Sequence, residues 1–315
     1  MLSFIIENRQ SNYLLNENYA TYTRKIGKGN LTFVAGHSYQ SDLTERFGAG
    51  SQGLIKDSFG YHNLGGADVP LTPYSSYSKT EILSQYARVN LDWDDKYLLT
   101  ATVRRDGSSR FSESEKYAIF PSGALGWRVS NEAFLRNNPV ISNLKLRASY
   151  GVTGNTSIPA LSSFATFDNV IGLAGGQLVP GVVPDQLANA SLRWESSYQT
   201  NLGLDLGLFD DKINMEVNYY NIDTKDLLMP NYNTPVYLGY LTRFALKNVG
   251  EINNKGLEIA LSSTNIYTNN LQWTTNLNWS TNRTEIIKMN EGIDVYLDAS
   301  PGYFSRERTH ILREG

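Results

Sequence analysis

The chain has 315 residues, a formal net charge of -3 and no cysteine, with 41% hydrophobic and 12% aromatic residues. That charge gives no electrostatic footprint for nucleic acid, and the lack of cysteine excludes disulfides and thiolate metal sites. No run of about 18 apolar residues exists to make a helical membrane span. The mean hydropathy of -0.35 fits a soluble protein, but equally a membrane barrel, whose strands alternate apolar with polar and average out hydrophilic.

The opening Met1-Leu2-Ser3-Phe4-Ile5-Ile6 has no basic leader and too short an apolar run for a signal peptide, so either the protein is cytoplasmic or its natural start lies upstream, and the strand topology below favours the second. The first short link is Gly27-Lys28-Gly29, and a long Gly/Ser/Asn/Pro-rich loop is expected near 41–80. Period-two alternation then runs from Tyr86 to Trp93, with Ala87, Val89, Leu91 and Trp93 on one side. After the turn Asp94-Asp95-Lys96 it resumes with Tyr97, Leu99, Ala101 and Val103 opposite Thr100, Thr102 and Arg104.

An intermediate link follows at 106–116, with Asp106-Gly107 expected to supply a hairpin turn. The 130–142 link is expected to hold a helical turn capped by Asn131 before Glu132-Ala133-Phe134-Leu135. Further strands place Leu144, Leu146, Ala148 and Tyr150 opposite Lys145, Arg147 and Ser149, and Leu202, Leu204, Leu206 and Leu208 opposite Asn201 and Asp205. Past Phe209-Asp210-Asp211-Lys212, Ile213, Met215, Val217 and Tyr219 oppose Asn214, Glu216 and Asn218. Past Thr268-Asn269-Asn270, Leu271, Trp273, Thr275, Leu277 and Trp279 oppose Gln272, Thr274, Asn276 and Asn278. About ten strands result, several longer than the ~9–11 residues that cross a bilayer at a tilt.

Long loops near 154–190, 224–250 and 286–302 alternate with the short links, as external loops alternate with periplasmic turns in an outer-membrane barrel. Soluble sandwiches and solenoids also use alternating strands, but give loop length no reason to alternate. Trp93, Tyr97, Trp194 and Tyr198 stand near strand ends, where an interfacial girdle would place them.

Motifs of chemistry are weak. Gly48-Ala49-Gly50-Ser51-Gln52-Gly53 fits a dinucleotide fingerprint with Asp68 beyond it, but no helical period follows, so a surface loop is the expectation. His37, His62 and His310 have no acidic neighbours at metal-ligand spacing. The carboxylate pairs Asp94-Asp95 and Asp210-Asp211 read as turn residues, and Asn278-Trp279-Ser280 lies inside a strand. No catalytic residue, metal site or cofactor is expected. The densest charged cluster, Arg104-Arg105-Asp106-Gly107-Ser108-Ser109-Arg110-Phe111, reads first as a solvated hairpin tip and second as a rim that meets a ligand or partner.

Residues Tyr97 to Phe111 resemble the signature hairpin of the SusC/RagA family of TonB-linked outer-membrane receptors. The likeness continues in Phe120-Pro121-Ser122, Gly126-Trp127-Arg128-Val129-Ser130-Asn131-Glu132, Leu144 to Asn155, Trp194-Glu195 with Asn201-Leu202-Gly203-Leu204-Asp205, and Asn248 to Glu258. It implies an all-β fold, an antiparallel section of a large transmembrane barrel in the cell outer membrane. Residues 1–315 would be part of the barrel domain, without the plug domain or the final strands. Family partners would be outer-membrane lipid, a SusD-like lipoprotein, the TonB–ExbB–ExbD system acting through the plug, and an oligosaccharide or peptide substrate.

A plugged lumen needs about 22 strands, so an internal stretch of a longer protein is expected, with a further strand starting near Tyr303. Lumen and loop contacts to ligand or partner are expected at Arg104, Asp106, Arg110 and Arg147. A passive porin and a soluble carbohydrate-binding or glycan-cleaving β-protein are the alternatives.

Overall fold

The computed structural model describes residues 3–54, 57–231, 239–240, 245–289, 295–297 and 310–315. Ten strands build one antiparallel sheet. In spatial order they are β1 (Ser3–Ile26), β2 (Gly29–Leu54), β3 (Ala67–Trp93), β4 (Tyr97–Ser108), β5 (Tyr117–Arg128), β6 (Ile141–Asn155), β9 (Glu195–Leu208), β10 (Ile213–Lys225), β13 (Gly250–Tyr267) and β14 (Gln272–Met289). Each strand pairs with the next, so β1 and β14 are the edges. Three small hairpins stand outside it: β7 (Thr166–Ala174) with β8 (Gln177–Gln186), β11 (Leu228–Asn231) with β12 (Ala245–Asn248), and β15 (Val295–Leu297) with β16 (His310–Leu312). The strand expected from Tyr303 lies outside the described residues except at β16.

The register turns the sequence alternation into two continuous surfaces. Directly paired residues share a face, and the pairs run Leu31↔Leu91, Leu91↔Leu99, Leu99↔Leu125, Leu125↔Ala148 and Ala148↔Leu202. Leu202↔Tyr219, Tyr219↔Leu257 and Leu257↔Thr281 carry the row to the last strand. The intervening positions make an equally continuous polar face, for example Arg147–Gly203–Asn218 across β6, β9 and β10.

The tight links all lie at one end. Backbone bonds Asp94 N–H to Lys28 O (3.1 Å), Arg128 N–H to Lys96 O (2.7 Å), Phe209 N–H to Val140 O (2.8 Å) and Thr264 N–H to Lys212 O (2.7 Å) tie neighbouring links together. Asp94, Asp95, Asp210 and Asp211 have φ between 55° and 61°, the left-handed geometry that favours Asp in hairpin turns. Trp93, Tyr97 and Trp127 are exposed at this end on the apolar face, as a girdle requires.

The 129–140 link corrects one expectation. Asn131 caps no helix; its amide donates to the Asp95 carbonyl at 2.7 Å, and a single helical turn closes from Arg136 N–H to Glu132 O at 2.9 Å. Glu132 accepts the Tyr97 hydroxyl at 2.7 Å and the Trp127 indole N–H at 3.3 Å, and pairs with Lys96 at 3.1 Å. The Tyr97 and Lys96 hydrogen bonds hold the Glu132 carboxyl below its usual value. A carboxyl lowered on folding stabilises above its unfolded pKa and loses that contribution as pH falls through the lowered one. Hydrogen-exchange protection of the Leu135 and Arg136 amides should therefore weaken as pH falls below about 4.3. In Glu132→Gln that acid step should vanish.

The other end departs most from expectation. Residues 41–80 are mainly strand: β2 and β3 stay paired out to Leu54↔Ala67, with a 3-10 segment, Asp57–Gly66, between them. Above the apolar band polar residues fall on both faces, so Ser41-Asp42-Leu43-Thr44-Glu45-Arg46 shows no alternation to read. The glycine sextet belongs to β2, not to a loop; Gly48 lies against the Tyr74 ring, leaving no room for a Cβ. The loops near 154–190 and 224–250 contain the β7–β8 and β11–β12 hairpins, and β14 extends through Met289 into the loop expected near 286–302.

Asp106-Gly107 is not a turn. Both residues pair inside β4–β5, with Ala118 and Tyr117, and the reversal falls at 109–116. This segment is no solvated tip either, because Asp106, Ser108 and Phe111 are buried. Phe111 packs with Phe120, Ile158, Leu192 and Trp194 where β5 and β6 part beyond Ser122↔Gly151. Trp194, expected in a girdle, is thus a core residue of the outer end.

Candidate functional site

The polar face carries a built electrostatic network. Arg147 on β6 reaches across β9 to β10: Nε and Nη2 donate to the Asp205 carboxylate at 2.6–3.1 Å, and Nη2 also donates to Glu216 and Asn218 at 2.9 Å. Lys145 lies 3.9 Å from the same Asp205 oxygen pair. One cation thus holds two acids on adjacent strands and is fixed in place by them. Arg147 is 58 residues from Asp205 and 69 from Glu216 in sequence, so only the β6–β9 register brings it to them.

Nearer the outer end, Arg104 Nε donates to both Asp106 oxygens at 2.7 and 2.9 Å, and its Nη2 donates to the buried Ser84 hydroxyl at 2.9 Å. Its guanidinium stands 5.9 Å from the Tyr86 ring centroid, and the Tyr86 hydroxyl donates to Glu17 at 2.9 Å. Arg104 and Asp106 lie on the same face as Arg147. Arg110 is elsewhere, in the outer link, where its Nη1 donates to the Thr156 carbonyl at 2.6 Å and the Ser163 hydroxyl donates to the Arg110 carbonyl at 3.0 Å. Its Nε is buried with no partner.

Of the four residues singled out from sequence, three therefore share one face and the fourth clamps loops. The alternation places Asp205, Glu216 and Asn218 on the polar face, and the Phe209–Lys212 turn pairs Asp205 with Glu216, but no signal in the chain gives the β6–β9 register that brings Arg147 to them. Among the described residues, no three of His, Asp or Glu gather as metal ligands.

The opposite face explains itself only in lipid. Leu125 is 60% exposed, Leu202 52% and Leu277 57%, within a band that crosses the sheet. Soluble monomers rarely expose an apolar patch beyond about 300–600 Å². A shallow depression of about 630 Å³ on this face, between Leu99, Trp127, Leu146 and Leu202, suits acyl chains rather than a polar substrate.

An antiparallel sheet with an apolar band outside, a charged and amide-rich face inside and tight turns at one end is a section of a transmembrane β-barrel. The chain belongs to the TonB dependent receptor-like β-barrel family, which matches residues 4–304. It is 42% identical to TonB-dependent receptor P3 of Formosa agariphila, over 98% of this chain and 31% of that protein. It is 30% identical to TonB-dependent receptor SusC of Bacteroides thetaiotaomicron, over 92% of this chain and 29% of that protein. Among solved structures, the RagAB peptide transporter superposes with a TM-score of 0.82 at 27% identity, covering 99% of this chain and 34% of that one. The chain thus spans about a third of the length of such relatives.

Proposed function

We propose that this chain is the wall of an energised importer in the outer membrane, taking up oligosaccharides or peptides. It works with a SusD-like surface lipoprotein, and TonB–ExbB–ExbD drives it through a plug held in the lumen. It passes its substrate unchanged and carries no catalysis. The observation that supports this most is the polar face itself, where Arg147 organises acids from two strands inside a wall whose other side is a lipid-facing band. Arg104, Asp106 and Arg147 line the passage, and Arg110 holds the external links in the shape that admits substrate. The likeness to a peptide transporter and to SusC supports the SusC/RagA type.

Cells lacking this coding region should lose uptake of a fluorescent oligosaccharide or peptide. Uptake in the parent cells should stop when TonB is removed or a protonophore collapses the ion gradient. Uptake that continues under both treatments would mean a passive porin, and salt release from membranes would mean a soluble protein.

A further inference from the structure

A groove of about 800 Å³ lies on the polar face beside the Arg147 network, and the network does not account for its chemistry. Its level is fixed by register. Asn201, Tyr220, Gly256 and Asn282 form one cross-strand row. The adjacent row on the outer face, toward the long loops, is Thr200, Asn221, Lys255 and Arg283, all polar. The row on its other side, toward the tight turns, is Leu202, Tyr219, Leu257 and Thr281. The groove therefore sits where the apolar band ends, at the outer lip of the lumen.

Its walls are two amide relays. Gln199 Nε2 donates to Asn201 Oδ1 at 2.9 Å, and Asn201 Nδ2 donates to Ser149 Oγ at 3.1 Å. Facing them, Asn254 Nδ2 donates to Thr284 Oγ1 at 3.0 Å, and Thr284 donates to Asn282 Oδ1 at 3.4 Å. Each relay ends with unused donors and acceptors. Asn254 Oδ1 is buried without a partner, a state that native proteins rarely leave unanswered. Between the relays Tyr220 crosses Gly256 so closely that a Cβ there would stand 2.5 Å from its hydroxyl oxygen. A half-buried ring held in this way offers a flat surface.

The charges point away from an ionic ligand. Arg147 is committed to Asp205, Glu216 and Asn218. Both Glu195 oxygens are taken, by the Asn155 amide at 3.1 Å and the Leu228 N–H at 3.2 Å. Among the described lining residues the remaining charge is Glu258, an anion, and no cation is free. Alternating amide donors and acceptors match vicinal hydroxyls, each of which both gives and accepts a hydrogen bond.

We propose that this groove binds an uncharged oligosaccharide at the outer lip of the lumen; the proposal rests on the import reading above. The purified full-length receptor is titrated calorimetrically with maltohexaose, cellohexaose, laminarihexaose and mannohexaose, and with hexagalacturonate and hexa-alanine. At least one uncharged sugar should bind. The double variant Gln199→Ala/Asn282→Ala should weaken it at least about tenfold while keeping the heat-modifiable mobility of a folded barrel, and Thr200→Ala on the opposite face should leave it unchanged. As a second reading, Asn282→Arg should gain affinity for hexagalacturonate.

Failure of all four uncharged sugars to bind overturns the proposal, as does full affinity in the folded double variant. If protonophore-sensitive uptake of hexa-alanine accompanies that failure, the import reading stands and the sugar site alone is lost. Uptake that no protonophore affects would instead remove the import reading.

Discussion

Trp194→Ala should destabilise the outer end of the protein by about 3–5 kcal/mol, the range for emptying a large aromatic from a core. Trp194 is 7% exposed, packs on Phe111 and Phe120 with ring centroids at 5.5 and 5.4 Å, and donates its indole N–H to the Lys116 carbonyl at 3.0 Å. It joins the link after β4, the strand β5, the segment after β6 and the approach to β9, with Leu228 and Leu246 of the β11–β12 hairpin packed against the same cluster. The cavity would loosen all of these together, while the pairing of β6 with β9 needs nothing from the ring. Limited proteolysis should therefore cut the 109–116 and 156–165 links first, at temperatures where the sheet still resists. Trp194→Phe should recover most of the packing and lose mainly the hydrogen bond, about 1 kcal/mol. Gly154→Val should resemble the alanine variant, because a Cβ at Gly154 would overlap the Phe120 ring and lie 2.8 Å from Trp194 Cε3.

The second large effect is on the opposite surface. Leu204 pairs with Leu146 and Val217 in the middle of the apolar band. Leu204→Arg would place a cation against hydrocarbon, a cost of about 2–4 kcal/mol near the bilayer midplane. Asn201→Arg, three residues away on the polar face, should fold normally because it opens into the polar groove that Glu258 also lines. The folded fraction after refolding into lipid vesicles, read from heat-modifiable mobility across a urea series, should fall for the first variant and hold for the second.

The sequence revealed the parts of this fold that repeat against lipid. From Leu202 to Leu208, and again from Ile213 to Tyr219, every second residue is apolar because every second residue faces hydrocarbon. The turns were readable for the same local reason, since Asp94-Asp95 and Asp210-Asp211 adopt the backbone that Asp tolerates. What was not readable lies beyond the membrane. Between Ser41 and Lys79 polar residues occupy both faces of the strands, so the period disappears although the pairing continues. Asp106-Gly107 has the letters of a turn, yet burial of Ser108 and Phe111 keeps it in the strand. At the candidate site, the alternation gave the face of Arg104 and Arg147 and put Asp106 beside Arg104, but it did not give the cross-strand partners of Arg147. Asp205–Glu216 and Asn201–Tyr220 follow from one hairpin, but adding Arg147 to the first pair and Asn282 to the second depends on register with strands far apart in sequence.

The central claim is that one sheet divides lipid from lumen. The absence of cysteine from the chain permits a direct test. Single cysteines are introduced from Gln199 to Leu208 in the full-length receptor in lipid, spin-labelled, and their collision rates with oxygen and with a water-soluble nickel chelate are measured. Oxygen access should peak at Leu202, Leu204, Leu206 and Leu208, with access of the nickel chelate relatively greater at Asn201, Gly203 and Asp205. A flat profile, or one with the opposite phase, would contradict the account.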